Sequence, residues 1–415
     1  MITNSKRARL FGALVLSSAL VGTLAACSPG STGATPSGTY TFWDPYPQFD
    51  QSAAWTQLVE KCGQEAGVTV QRTGYDTTAL ANKALLAGQQ KASADVLLID
   101  NPVVSTLATA GVLTDTSQTK LSTDGIEANI LDAGVVDGKT YGVPIGANTL
   151  ALYYNKSILA AAGVDPSSIT NWATLTSALA KVKAAGYTGI TFSGINTEEG
   201  SFQFLPWFWG SGANLRKLDS QQGIDALSLL TGWVKDGYAP NSVIQNTQTT
   251  SWQEFIAGKT AFSENGTWQL SGVQASGIDY GILPIPGQNG GTAPAPTGGE
   301  FLTIPVQKDT ARYQVSEKIV SCLIGTQNLV TTANTLSYIA PTAAAQQLQV
   351  ASNPALAPWV TAVQAAKGRT SDNLGTKYPI ISQNMWTALQ SALSGAATPA
   401  AAMAAAQAAN DTVIN

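Results

Sequence analysis

The chain is predicted to fold as an α/β protein of two lobes, each a mostly parallel sheet flanked by helices, with a hinge joining them. Three observations carry this prediction. Between residues 40 and 100, short apolar strand tracts alternate with helix-period tracts, the pattern of βαβ units. The tract 141–156, YGVPIGANTLALYYNK, begins as a Gly/Pro turn and becomes an apolar, extended run rich in β-branched, aromatic and aliphatic residues. A second glycine-led run of the same character, Gly298-Gly299-Glu300-Phe301-Leu302-Thr303-Ile304-Pro305, lies far along the chain. Two such runs read as crossings between lobes, and a cleft between lobes is the natural ligand site. At 415 residues the chain can fill two or three cores.

The elements follow in order. Lys6, Arg7 and Arg9 precede an apolar stretch, 10–24, too short to span a bilayer comfortably. It ends in Leu24-Ala25-Ala26-Cys27, which resembles the lipobox of bacterial lipoproteins. That resemblance implies a signal peptide over 1–26 and diacylglycerol on Cys27; the alternative is an ordinary secretory signal with an incidental cysteine. The Gly/Ser/Thr/Pro tract that follows cannot bury enough apolar area to order itself, and 27–38 reads as a lipid-anchored tether spanning roughly 20 Å. A strand begins at 40–42, followed by the loop Trp43-Asp44-Pro45-Tyr46-Pro47. In 51–67, Ala54, Leu58, Val59 and Cys62 recur at helical spacing. Strand 68–70, helix 77–91 and apolar strand 94–99 complete the βαβ pattern. Ligands of such sheets sit beyond the strands' carboxyl ends, which selects Trp43, Asp44, Tyr46, Tyr75, Asp100 and Asn101 as candidate ligand residues.

Past the first crossing, a helix is expected over 172–185 and a strand near 190–192. The aromatic cluster Phe202, Phe204, Trp207, Phe208, Trp209 reads mostly as core. Glu198 and Glu199 either face the cleft or are solvated first-turn charges suited to a helix N-terminus. Gly258-Lys259-Thr260 lacks the earlier glycine of a phosphate-binding loop, since position 253 is glutamine. The loop 287–299 is Gly/Pro-rich, and Gly298 and Gly299 permit close backbone approach. Helices are expected over 313–325 and around Trp386, Leu389 and Leu393. Thr398 caps a last helix with Pro399 at its first position.

Composition excludes several functions. Charged residues are 12 % of the chain, net charge is −4, and there is no basic patch for nucleic acid. The absence of histidine removes imidazole metal sites and histidine triads, so neither metal nor cofactor is expected. No G-x-S-x-G, H-E-x-x-H, C-x-x-C or G-x-G-x-x-G motif occurs. A glycosidase would need two carboxylates about 5–9.5 Å apart, and Asp44, Asp100, Glu264 and Glu300 are the candidates.

The tract 141–156, followed by Leu159-Ala160-Ala161-Ala162-Gly163 and then Trp172, resembles the hinge region of ABC-importer sugar-binding proteins. These are the extracellular solute-binding proteins related to the maltose-binding protein. The similarity runs from Thr39 to the C-terminus. It implies a periplasmic-binding-protein-like fold, with lobe one at 39–147 and 301–345 and lobe two at 148–300 and 346–415. It implies a non-enzymatic monomer, lipid-anchored on the outer face of the cytoplasmic membrane, that captures a saccharide and passes it to ABC permease subunits. A lipoprotein presenting ligand to a sensor is a neighbouring possibility. The resemblance adds Asn148 at the first crossing, Phe202 at a helix start, Asn265 and Trp268 at an Asn-Gly turn, and Trp386 as a stacking ring, beside three candidates read from the residues themselves: Glu199 facing the cleft, Gly299 for close backbone approach and Glu300 as an acceptor for hydroxyls. Core readings compete for Trp268 and Trp386, and a solvated loop position for Glu300. With Cys27 lipidated, Cys62 and Cys322 remain, either as a disulfide between two lobe-one helices or as two buried thiols.

Overall fold

The structure, a computed structural model, describes residues 38–414 apart from 373. The expected signal peptide, the lipidated Cys27 and the tether up to 37 lie outside the described residues. Among the described residues, no helix is long and apolar enough to cross a membrane.

Eleven strands matter to the site. In chain order they are β1 (Thr39–Asp44), β2 (Thr69–Gly74), β3 (Val96–Asp100), β4 (Val143–Pro144), β5 (Leu150–Asn155), β6 (Thr188–Thr191), β7 (Thr260–Gly266), β8 (Tyr280–Leu283), β9 (Pro296–Thr297), β10 (Glu300–Thr303) and β11 (Lys367–Gly368). One sheet has the order β2-β1-β3-β10-β4, the other β8-β5-β7-β6, and β9 pairs with β11 alone. β1 runs parallel to β2 and β3, as the βαβ alternation predicts. β10 is antiparallel to both β3 and β4. In the second sheet only β6 and β7 are parallel. The crossings are the reason for these antiparallel pairs. A strand that enters a lobe from the hinge needs no crossover helix, so it joins its neighbour from the opposite end.

The alternating burial of β1 places Tyr40, Phe42 and Asp44 on one face. β7 is buried along its whole length, because helices cover both faces of its sheet. α1 (Ala54–Glu65) presents Trp55, Leu58, Val59 and Cys62 to the first sheet. α2 (Thr77–Gln89) is capped by Asp76, whose carboxylate accepts from the Ala79 amide at 2.9 Å. Cys62 is disulfide-bonded to Cys322, which lies on the helix Tyr313–Leu323, and the bond spans 260 residues of sequence. The second lobe's core gathers Trp207, Phe208, Trp172 and Trp233.

Three backbone segments run side by side at the hinge, through Ala147-Asn148, Gly298 and Ile339. Ala147 exchanges both backbone hydrogen bonds with Ile339 at 2.8 Å, and Asn148 exchanges both with Gly298 at 2.9 and 3.2 Å. Glycine is required beside Asn148. A Cβ on Gly298 would stand 1.9 Å from Asn148 Oδ1, and Gly299 has φ +114°, a conformation that side chains resist.

Candidate functional site

The hinge opens onto a cavity of about 380 Å³. Its floor is the second crossing. Glu300 begins β10 opposite Asp100, the last residue of β3. Glu300 Oε2 accepts from the Tyr46 hydroxyl at 2.8 Å and from the Tyr338 hydroxyl. Burial and then the negative charge of Asp100 push the Glu300 carboxyl up to about 7, against the pull of the two tyrosine hydroxyls and Arg369. Burial and Glu300 in turn hold both phenols well above their ordinary range, so they remain donors. Asn148 and the backbone of Gly298 and Gly299 complete this wall.

Arg369 closes one end. It follows β11, whose pairing with β9 sets its loop beside the residues leading into Gly298. Arg369 is 5 % exposed. Nη2 donates to Asp100 Oδ1 at 3.0 Å and to Asn101 Oδ1 at 3.1 Å. Nη1 donates to Glu198 Oε1 at 3.1 Å, while Nε has no partner. One side chain thus holds a residue from each sheet's side of the cleft. Burial opposes the charged guanidinium, but Asp100 and Glu198 more than offset it and hold its pKa above the ordinary value. Burial raises the Asp100 carboxyl, Arg369 draws it back, and Glu198 adds to the rise.

Glu198 and Phe202 belong to a helix over Glu198–Gly210, and they share its cavity-facing side because four residues separate them. Glu198 is fixed by the Tyr378 hydroxyl at 2.7 Å and by the Ser382 hydroxyl, both from the helix Tyr378–Leu393. The Phe202 ring lies 6.3 Å from the indole of Trp268, tilted by 54°, and 5.2 Å below the guanidinium carbon of Arg369. Trp268 is half-buried in the turn after β7, its ring close against Gly266, where a Cβ would come within 2.0 Å of it. Glu199 accepts from the Gln248 amide at 2.7 Å, and the Gln248 carbonyl is held by Asn265 Nδ2 at 3.0 Å.

Of the residues singled out from sequence, Asp100, Asn148, Glu199, Phe202, Trp268, Gly299 and Glu300 line the cavity together. The others stand behind or beside it. Asp44 is fully buried and bound by Arg72 through both oxygens, at 2.5 and 2.8 Å, with the Trp55 indole N–H at 2.9 Å. Tyr46 and Asn101 reach the site through Glu300 and Arg369, and Asn265 through Gln248. Trp43 and Tyr75 pack edge to face at 5.8 Å under the Lys83 ammonium, away from the cavity lining. Trp386 is half-buried on the helical stripe of Tyr378 and Ser382, one turn beyond Ser382, and does not line the cavity. Glu264 is buried in the second lobe, one oxygen on the Trp207 indole and the other unpartnered.

The sequence reading missed Arg369 and Gln248, and the supports Tyr338, Tyr378 and Ser382. Arg369 had a usable signal. Only four arginines follow Arg9 in this charge-poor chain: Arg72, Arg216, Arg312 and Arg369. A guanidinium in such a context is a candidate for a buried, forked carboxylate pair.

The chain is similar to known proteins. The profile of a bacterial extracellular solute-binding protein family matches residues 57–358. A Brucella abortus chain described as a binding protein is 28 % identical over 166 residues, which is 38 % of this chain and 40 % of that one. A maltooligosaccharide ABC transporter solute-binding lipoprotein of Streptococcus pneumoniae is 26 % identical over 350 residues, 78 % of this chain and 77 % of its own. The GacH receptor of Streptomyces glaucescens, solved unliganded and with acarbose, shares the fold with a TM-score of 0.77 at 24 % identity, over 91 % of this chain and 99 % of its own. The matched profile spans most of the chain and both sides of the cleft, and the chain therefore belongs to the bacterial extracellular solute-binding proteins.

Proposed function

We propose that the protein captures a saccharide outside the cell and delivers it to the permease of an ABC importer, held at the outer face of the cytoplasmic membrane by a lipidated Cys27. The observation that carries this reading is a single cavity that combines flat aromatic faces with fixed polar groups. A sugar ring has apolar C–H faces and a polar rim, so it needs both. Trp268 and Phe202 take the faces. Asn148, Glu199, Glu300 and Asp100 take hydroxyls, and the glycines at 298–299 let backbone approach the ligand. The bodies 39–147 with 301–345, and 148–300 with 346–415, close about the hinge, and a ligand touching both favours the closed state. The pneumococcal lipoprotein's name supports both the substrate class and the anchor.

A panel of mono- and oligosaccharides read by thermal shift tests the reading. A true ligand at 100 times its Kd adds about 2.7 kcal/mol to stability, and a panel that moves the transition nowhere sinks the proposal. Mass spectrometry of the mature chain tests the anchor. Lipid on an N-terminal Cys27 is expected, and an unmodified chain cleaved elsewhere contradicts it.

A further inference from the structure

Charge in the cavity is lopsided. Four carboxylates line it, Asp100, Glu198, Glu199 and Glu300, and among the described lining residues Arg369 is the one cation. That cation is already engaged, with Asp100 at 3.0 Å on one side of the cleft and Glu198 at 3.1 Å on the other. Its face is covered as well, since Phe202 lies 5.2 Å from the guanidinium carbon. Glu198 cannot swing away freely, because Tyr378 and Ser382 hold its two oxygens. Of the three guanidinium nitrogens of Arg369, Nε alone has no partner, and it is buried. A carboxylate or phosphate is recognised by a forked pair of donors on an uncompensated charge, and the charge of Arg369 is already shared between two carboxylates.

We propose that Arg369, shared between Asp100 and Glu198, makes the cleft selective for uncharged, hydroxyl-rich ligands and closes it to anionic ones. This inference rests on the saccharide reading and adds the charge class of the ligand. An incoming anion meets an excess of at least two carboxylate charges over the one guanidinium, with Glu300 part-protonated near pH 7. A neutral sugar meets acceptors for its hydroxyls in the carboxylates and Asn148. The inference also assigns Arg369 its role. It is a positioning residue that presents Asp100 and Glu198 and withholds its own charge.

The test uses matched pairs: glucose with glucuronate, galactose with galacturonate, and maltose as a larger neutral probe, by calorimetry at fixed ionic strength. The mature wild-type protein is expected to bind at least one neutral probe and to hold the matching uronate at least 100-fold more weakly. In the double variant Asp100→Asn, Glu198→Gln, the guanidinium is released from both carboxylates while the amides keep the shape. The gap between sugar and uronate is then expected to shrink below tenfold. The single variant Glu198→Gln serves if the double variant does not fold, with a partial narrowing expected. Wild-type binding of a uronate within tenfold of its parent sugar overturns the inference and leaves the saccharide reading intact. A gap unchanged in the variants also overturns it, because the discrimination would then owe nothing to Arg369. Binding of no probe in any form removes the saccharide reading and this inference with it.

Discussion

The indole of Trp268 and the ring of Phe202 stand 6.3 Å apart, centroid to centroid, at an angle of 54°. The two reach the cavity from different segments, one from the turn after β7 and one from the start of the helix Glu198–Gly210. Tilted rings of this kind form a corner, so a flat ligand face that lies on one meets the edge of the other. Trp268 is the more accessible of the two, and its loss removes the open side of that corner. Trp268→Ala is expected to weaken saccharide binding by about 2 kcal/mol or more, roughly thirtyfold. The ligand-free protein should melt only modestly lower, since the ring is half-buried. A collapse of apo stability with near-normal affinity in the folded fraction would assign Trp268 to the core instead.

Glu300 should impose a pH dependence on stability. Its carboxyl is raised to about 7 in the folded protein, from an ordinary value of 4.5. Between those two values the folded state holds a proton that the unfolded state has released. Stability contributed by protonated Glu300 is therefore present at low pH and lost as pH rises toward 7. Glu300→Gln mimics the protonated form at every pH. The melting temperature of Glu300→Gln minus that of wild type is thus expected to climb from about pH 4.5 to pH 7. A difference that stays flat across this window would remove Glu300 as the titrating group.

Asp44 belongs to the scaffold. It is fully buried, held by Arg72 through both oxygens, and this ion pair ties the end of β1 to β2. Removing one partner strands a buried charge, which typically costs about 3–5 kcal/mol. Asp44→Ala should therefore lower stability by that order in urea unfolding, with saccharide affinity unchanged in the protein that remains folded. Normal stability with lost affinity is the result that would return Asp44 to the binding site.

The Cys62–Cys322 disulfide closes a loop of 260 residues and fastens α1 to the helix Tyr313–Leu323. A cross-link of such span stabilises by about 5–6 kcal/mol on the chain-entropy account. Thiol titration of unfolded, unreduced protein should detect neither cysteine, and reduction should lower the midpoint of denaturation. Two reactive thiols would contradict the bond.

Gly298 offers a test of the hinge. A methyl group there would strike Asn148 Oδ1, 1.9 Å from the added Cβ, at the point where two crossing segments exchange backbone hydrogen bonds. Gly298→Ala is expected to weaken binding at least tenfold by moving Asn148 off the cavity wall. Asn148→Ala in the same background should restore the melting temperature but not the affinity. Unchanged binding in Gly298→Ala would show that the hinge absorbs the clash.

Local pattern was enough for much of this protein. The period-2 and period-3.6 spacings between residues 40 and 100 are fixed by near neighbours, and β1, α1, β2, α2 and β3 all form within a few residues of where those spacings place them. Thr398 and Pro399 start the last helix for the same reason: capping is satisfied within one turn, by the Ala401 amide at 3.2 Å. The glycines at 298–299 were legible because close backbone approach leaves a mark in residue type. Which carboxylates face the ligand was decided by the tertiary structure. Asp44 and Asp100 carry the same local signature, an aspartate ending a parallel strand. Asp44 finds Arg72 only 28 residues away and is sealed into the first lobe. Asp100 finds Arg369 across 269 residues and so opens on the cavity. Glu198 likewise owes its place to Tyr378 and Ser382, which arrive from 180 and 184 residues away. A short window of sequence holds the strand end but not the partner, and it is the partner's position in the folded chain that determines whether a carboxylate becomes scaffold or site.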